Sequence, residues 1–351
     1  MCRPSRTNLC GCSIPSSEST RLNTSLPSAT VDQLLRRDAA LDAARVAERL
    51  DFFVGKIPTT GPRPIEHQPN QHQWSEPQSV PEIEASDLTD EKLKSAMASR
   101  GCLLVRGLFS RAAISDYCEV IDHVMGFADQ EKLNGTDHDP LQTTFANAPR
   151  CLPKLLREPR LSASRKFHRD GGSAMCVESS GVCEQLLALY ESAGIKRLVH
   201  NYLGEEPCLS ALKWVLRRPR VPVNPDGWHQ DGAFMGKHIN SLNMWLAAST
   251  CGGQSGAPGM DILPYRLTDI LGAGEEDAIF DWSVGDKAMK ERLGAGKTEA
   301  PFFEAGDALF FDHFLLHRTQ HGEDFVRPRY AIETWFFDSK NFPENQVPLR
   351  W

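Results

Sequence analysis

The segment Gly227–Phe234 reads GWHQDGAF, and taking it as strand or as loop decides what the rest of the chain must build. On a strand, residues i and i+2 point to the same face. His229 and Asp231 would then project together, between the flanking Trp228 and Phe234, into the interior of a β-structure where they could share a metal ion. The same His-x-Asp tripeptide recurs in FHRDGGS, Phe167–Ser173, so the pattern alone does not discriminate. In the second copy Asp170-Gly171-Gly172 is a tight-turn signal, and no alternating strand enters or leaves it. That copy is expected to be a polar turn that places His168 and Arg169 on a lid over a substrate pocket.

Outward from GWHQDGAF, the texture after residue 205 is a series of short β-rich runs separated by Gly, Pro and Asp. These are LSALKWVLRR (209–218), SLNMWLAAS (241–249), GMDILP (259–264), GDALFFDHFLLH (306–317) and RYAIETWFF (329–337). Many short strands with turn signals between them predict a sandwich or small barrel. Upstream the period is helical. A helix is expected over 31–50, another near 90–100 ended by Gly101, a third capped by Ser110, and a fourth over 181–203 closed by Gly204. The apolar run CLLVRG (102–107) is a short strand. The Pro- and Gln-rich residues 57–85, with His67 and His72, should run extended, and 127–178 shows no sustained period. The expected architecture is α+β: a flexible tail over 1–30, then one domain over 31–351. Its helical part covers about 31–204 and packs on a β-barrel core of about 205–340.

A facial triad of two imidazoles and one carboxylate leaves the other side of a metal open for cosubstrate and oxygen, so a second histidine is needed. Candidates are His313, His317 and His321. Alternation from Asp307 puts His313 and His317 on one face, so parity does not separate them. His317 lies at the strand end beside polar Arg318 and Thr319, where a barrel mouth would place chemistry. Further on, Arg327 and Arg329 flank Pro328. A guanidinium here suits a dicarboxylate, which it binds through two parallel hydrogen bonds.

Bulk properties narrow the class. The chain has 351 residues, 40 % hydrophobic, and a formal charge of −7, which leaves no electrostatic footprint for nucleic acid. No apolar run is long enough to cross a bilayer. The 10 cysteines show no C-x-x-C pair or regular spacing and are expected as reduced thiols of a cytoplasmic protein. The Ser- and Arg-rich start, with Cys2, Cys10 and Cys12, has an organelle transit peptide as its alternative. Oligomeric state is left open.

With these residues in place, the chain resembles the phytanoyl-CoA dioxygenase family of non-haem Fe(II), 2-oxoglutarate-dependent oxygenases over roughly residues 85–337. GCLLVRGLFSRAAISDY (101–117) resembles the family's entry strand and helix, and LVHNYLG (198–204) its helix before the barrel. GWHQDGAF resembles the metal strand, SLNMWLAAS the Trp-bearing strand, GDALFFDHFLLHRT (306–319) the strand of the distal histidine, and RYAIETWFF the arginine strand. The resemblance implies a double-stranded β-helix, or jelly roll, with His229, Asp231 and His317 as iron ligands. It further implies Arg329 and Thr319 on the far carboxylate of 2-oxoglutarate, with Trp245 lining the same pocket. Arg327 is kept as second choice because the arginine strand stands one residue further from His317 than is usual. Where the family usually reads Pro-Gly-Ser-His-Arg, this chain has Pro264-Tyr265-Arg266.

The implied reaction consumes O2 and 2-oxoglutarate, hydroxylates an unactivated C–H bond, and releases succinate and CO2. Related halogenases replace the carboxylate ligand with a small residue, so Asp231 points to hydroxylation, or a related desaturation or ring closure, rather than halogenation. The substrate is expected to be a small organic molecule, an acyl thioester or a metabolite. Arg217, Arg218 and Arg220 would favour an anion if they are not simply a solvated face. Two alternatives share the pattern: a non-catalytic barrel that binds or regulates, and a cupin-like metal enzyme that does not use 2-oxoglutarate.

Overall fold

The alternating runs after residue 205 become two β-sheets, and the larger of them is wedged between helices and the smaller sheet. The computed structural model describes residues 39–56, 74, 79–134, 164, 167–219, 221, 223, 227–275, 277–293 and 297–351. The tail 1–30, the start of the first helix at 31–38, His67, His72, Arg220 and residues 135–163 lie outside them.

In chain order the elements are α1 (Ala39–Asp51), β1 (Glu82–Glu84), α2 (Asp90–Arg100), β2 (Cys102–Arg106), α3 (Arg111–Ile114) and α4 (Asp116–Asn134). There follow β3 (Ser173–Met175), α5 (Ser180–Ser192), α6 (Ile195–Leu203), β4 (Pro207–Arg217), β5 (Trp228–His229) and α7 (Gly232–Met235). The remainder are β6 (Ser241–Ala247), β7 (Met260–Ile262), β8 (Ser283–Val284), α8 (Asp286–Leu293), β9 (Ala308–Phe311), β10 (His317–Thr319), β11 (Ala331–Asp338) and β12 (Pro348–Arg350). The large sheet runs β1-β2-β9-β6-β11-β4-β12 with β3 also beside β4, and the small one runs β7-β10-β5-β8. All pairings are antiparallel except β1 with β2.

Period-2 alternation sorts the large sheet's side chains. Ile332 and Phe336 of β11, Met244 and Leu246 of β6, and Phe310 of β9 join Val46, Leu93, Leu186, Tyr190 and Val199 from the helices. Trp335, Phe337, Trp245, Leu309 and Phe311 point the other way and pack with Met260 and Ile262 of β7. Because both faces are covered, β11 is buried along its whole length and reads as a nearly continuous apolar run. Each of its aromatic side chains contributes roughly 1.5–3 kcal/mol by burial.

Helix ends follow local chemistry. Thr89 Oγ1 accepts from the Lys92 amide at the start of α2, and Gly101 closes it in a left-handed conformation. Ser110 caps α3 through the Ala113 amide. Three expectations need correction. The helix over 181–203 is two helices, broken at Ala193-Gly194, where Gly194 has φ 72°. The helical and β parts are not segregated at 204, since β1, β2 and β3 come from the earlier part and complete the large sheet. GDALFFDHFLLH is not one strand. The Asp312 side chain accepts from the Phe314 amide at 3.0 Å, which turns the chain out of β9, and β10 then belongs to the other sheet. Arg266 forms an ion pair with Asp312, so Pro264-Tyr265-Arg266 holds this turn in place. Among the described residues no helix is long and apolar enough to cross a membrane.

Gly306 marks the entry to β9. Its φ is 100°, and a Cβ there would be driven against the Phe109 carbonyl oxygen. Its amide and carbonyl are both engaged, with Ala247 at 2.8 Å and Phe109 at 3.0 Å. Gly306→Ala is therefore expected to cost about 2–4 kcal/mol, read as a lowered urea midpoint. An unchanged midpoint would show that this turn yields freely.

Candidate metal centre and its cavity

GWHQDGAF is mostly turn, not strand, yet it delivers both expected side chains. Only Trp228 and His229 are extended. Asp231 has φ −62° and ψ −22° and opens the short helix α7, so the same-face strand argument fails for it. What aims Asp231 is the reversal after β5, and each residue of the turn is tied down. Gln230 is 1 % exposed. Its amide nitrogen donates to the carbonyls of Asp269 (3.0 Å) and Phe314 (2.8 Å), and its oxygen accepts from the Leu271 amide (2.7 Å). The Gly232 amide donates to the His313 carbonyl at 2.9 Å. A Cβ at Gly232 would press on that carbonyl and on Ile270, which is why the residue after the aspartate is glycine.

His317 is the direct cross-strand partner of His229. Directly opposed residues project on one side of the sheet, and the two ring centroids lie 4.4 Å apart. His229 Nε2 is 3.9 Å from Asp231 Oδ1. One ligand atom from each of His229, Asp231 and His317 falls within 4.8 Å of the others. Both imidazoles are oriented from behind: His229 Nδ1 is 3.2 Å from the Gly227 carbonyl and His317 Nδ1 is 3.1 Å from the Leu315 carbonyl. A carbonyl only accepts, so each Nδ1 carries the proton and each Nε2 presents a lone pair inward. Burial and the neighbouring His229 push the His317 pKa down to about 4, which keeps that lone pair available. Asp231 Oδ2 is buried and has no hydrogen-bond partner among the described residues. Leaving such an oxygen unsatisfied costs about 1–3 kcal/mol or more, and a cation between the three groups would satisfy it. The donor set of two nitrogens and one carboxylate oxygen fits Fe(II).

The turn at 312–316 separates the two histidines that parity could not. His313 is buried and faces away from the triad: its Nδ1 is 2.8 Å from Ser241 Oγ and its Nε2 is 3.3 Å from the Lys237 carbonyl. His317, Thr319, Arg329 and Trp245 all line one cavity of about 720 Å³ with His229. Arg329 is 2 % exposed. Its Nη1 donates to the Gly259 carbonyl at 3.0 Å, and its Cζ lies 5.4 Å from the Trp245 ring centroid. Arg327 is exposed, donates to the Ser255 carbonyl, and is not among the residues that line the cavity.

FHRDGGS differs from its expectation. It is a helical turn that leads straight into β3. His168 lines the cavity but is itself buried, with Nε2 2.8 Å from the Leu212 carbonyl. Burial, with Lys213 and Arg217 nearby, pushes its pKa down to about 3. Arg169 turns away to Glu178 at 2.9 Å.

Sequence reasoning missed several lining residues. Glu333 comes from β11 and is bonded by Arg217 through Nε (2.6 Å) and Nη2 (2.5 Å) and by Trp335 Nε1 (3.1 Å). Burial opposes its ionisation, but Arg217, Lys213 and His317 hold it below the usual carboxylate range. Arg218 pairs with Asp122, so Arg217 and Arg218 are structural partners rather than a free anion patch. Trp282 stands edge-on to His229 with centroids 5.1 Å apart and stacks on Phe280 at 4.9 Å. A polar Glu at the third position of an apolar strand was the one visible signal among these.

No family model and no curated protein matches the chain. Among solved structures, it is similar to EctD from S. alaskensis with 2-oxoglutarate and 5-hydroxyectoine, at 15 % identity, over 72 % of this chain and 77 % of that one, with a TM-score of 0.46. It is also similar to the non-heme alpha ketoglutarate dependent epimerase SnoN from nogalamycin biosynthesis, at 15 % identity, over 71 % and 83 % of the two chains, with a TM-score of 0.40. These are distant likenesses of shape, and the roles of the side chains rest on their own geometry.

Proposed function

We propose that the protein is an Fe(II)- and 2-oxoglutarate-dependent dioxygenase that hydroxylates an unactivated C–H bond of a small organic substrate and releases succinate and CO2. The single observation that carries this reading is the buried His229–Asp231–His317 cluster, opening on a cavity that also holds Arg329. In this reading the two sheets are the halves of a double-stranded β-helix, within one domain over 31–351.

His229 and His317, through Nε2, and Asp231, through its carboxylate, would hold the iron. When bound, Fe(II) with 2-oxoglutarate and O2 supplies the oxidising power that breaks the C–H bond. Arg329 takes the far carboxylate of 2-oxoglutarate through its fork of N–H donors, with Trp245 stacked under the guanidinium and Thr319 adding a hydroxyl. Phe311, Met260 and Trp282 exclude water around the reacting groups. With Asp231 in the carboxylate position, no ligand place is left for a halide, which favours hydroxylation.

The test is anaerobic addition of Fe(II) and 2-oxoglutarate, followed by the visible charge-transfer band. The wild type should develop it. Arg329→Ala should need roughly 30- to 140-fold more 2-oxoglutarate for the same band, from loss of a charge-assisted pair worth about 2–3 kcal/mol. No band with the wild type would refute the proposal. A band and turnover untouched by Arg329→Ala would favour a metal enzyme that does not use 2-oxoglutarate.

A further inference from the structure

Strand β4 is not regular where it borders the cavity. Its ladder with β11 pairs Leu209 with Phe336, and then resumes with Trp214 opposite Thr334. Residues 210–213 of β4 thus face the single residue Trp335. The bulge is held at both ends. Ser210 Oγ donates to Gln346 Oε1 at 2.6 Å and accepts from the Lys213 amide at 3.1 Å, while the Leu212 carbonyl is bonded by His168 at 2.8 Å. A register shift of three, an odd number, reverses which face the following side chains occupy. It brings Lys213 and Arg217 onto the cavity wall, beside Glu333.

The two cations differ there. Arg217 is matched by Glu333, at 2.6 and 2.5 Å. Lys213 has no carboxylate of the described residues within ion-pairing distance. Its Nζ lies 4.3 Å from the centroid of the Phe234 ring, which also lines the cavity. A ligand that covers this ammonium strips its water, and a negative charge on the ligand compensates for that loss where a neutral group does not. Asp170 is an exposed acid on the lining, where solvent screens it. The lining also carries aromatic side chains, Phe234, Trp282 beside His229, and Phe280 stacked on Trp282, while Glu333 acts on both Lys213 and His317.

Resting on the dioxygenase reading, we infer that the substrate oxidised here is an organic monocarboxylate with a flat apolar body, anchored by Lys213. The body packs on Phe234 and Trp282, which brings its C–H bonds beside His229. Lys213 and Arg217 bring two positive charges to the single carboxylate of Glu333, which leaves one negative charge for the ligand to supply. A phosphate-rich acyl carrier brings several charges, whereas of the lining guanidiniums Arg217 is held by Glu333 and Arg329 is assigned to 2-oxoglutarate. The odd-numbered bulge, braced by His168 and Gln346, is the device that turns Lys213 to this wall.

The probes are 2-naphthoate and 3-phenylpropionate, their uncharged primary amides, and 2-naphthylmethylammonium. Binding to the full chain is read anaerobically as tryptophan fluorescence quenching and, with Fe(II) and 2-oxoglutarate present, as perturbation of the charge-transfer band. In the wild type the carboxylates should bind at least ten-fold tighter than the amides, and the ammonium compound weakest. Lys213→Gln should abolish that preference and Lys213→Arg keep it, both with unchanged 2-oxoglutarate affinity. Equal binding of acid and amide, or no probe binding while the band forms, overturns the inference. So does a ten-fold loss of 2-oxoglutarate affinity in Lys213→Gln, which would make Lys213 a cosubstrate residue. Absence of the band in the wild type would instead strike the dioxygenase reading, and is read separately from the fluorescence titration.

Discussion

His317→Ala is expected to lower Fe(II) affinity by at least about 100-fold, more than the 10- to 100-fold typical of a residue that merely orients a ligand. His317 is 7 % exposed and stands directly across from His229, so no solvent-borne group replaces it readily. The variant leaves Asp231 and His229 in place, two ligands where three converged. The structural cost is small by comparison: the Leu315 carbonyl loses its donor, about 1 kcal/mol. Metal titration and the charge-transfer band should therefore collapse while thermal unfolding moves only a few degrees. His313→Ala is the informative contrast. It removes the partner of Ser241 Oγ and should cost stability yet leave metal affinity within a few-fold. If His313→Ala loses the metal and His317→Ala keeps it, the assignment of the cluster is wrong.

Glu333→Ala should destabilise the apo protein by about 3 kcal/mol. The Arg217 side chain is 25 % exposed and that of Glu333 is 8 % exposed, so the pair is largely but not wholly shielded, and the low end of the 3–5 kcal/mol range for breaking a buried pair applies. Trp335 Nε1 also loses its acceptor. The cost lies mostly in the guanidinium left without its counter-charge, so a double variant Arg217→Met with Glu333→Leu should recover most of it. Urea unfolding of both proteins measures this. A single-variant cost below about 1 kcal/mol would mean that the pair behaves like an exposed one.

Part of this architecture was legible along the chain because it depends on near neighbours. The cap at Ser110 and the stop at Gly101 are one-turn chemistry, and the alternation of side-chain faces along β6, β9 and β11 follows from the two-residue period of a strand. The same alternation misled at 312–317. Phe314, Leu315 and Leu316 are apolar because the turn is buried, and periodicity does not separate a buried turn from a strand when one aspartate makes the difference. Asp231 was placed beside His229 by a strand argument, whereas a helical turn held by Gln230 puts it there.

The sequence by itself determined the residue types that could form a metal cluster, the order of the strands that carry them, and the faces of the regular strands, since these follow from side-chain chemistry and the two-residue period. The resemblance already favoured His317 over His313, and the tertiary structure alone revealed the aspartate turn clamped by Arg266 that gives the two histidines different surroundings. It alone revealed that Arg217 is matched by Glu333, 116 residues away, and that Lys213 is turned to the cavity by a bulge held by His168, 44 residues from the carbonyl it binds. Register and bulges are set by contacts between distant segments, and no local period encodes them.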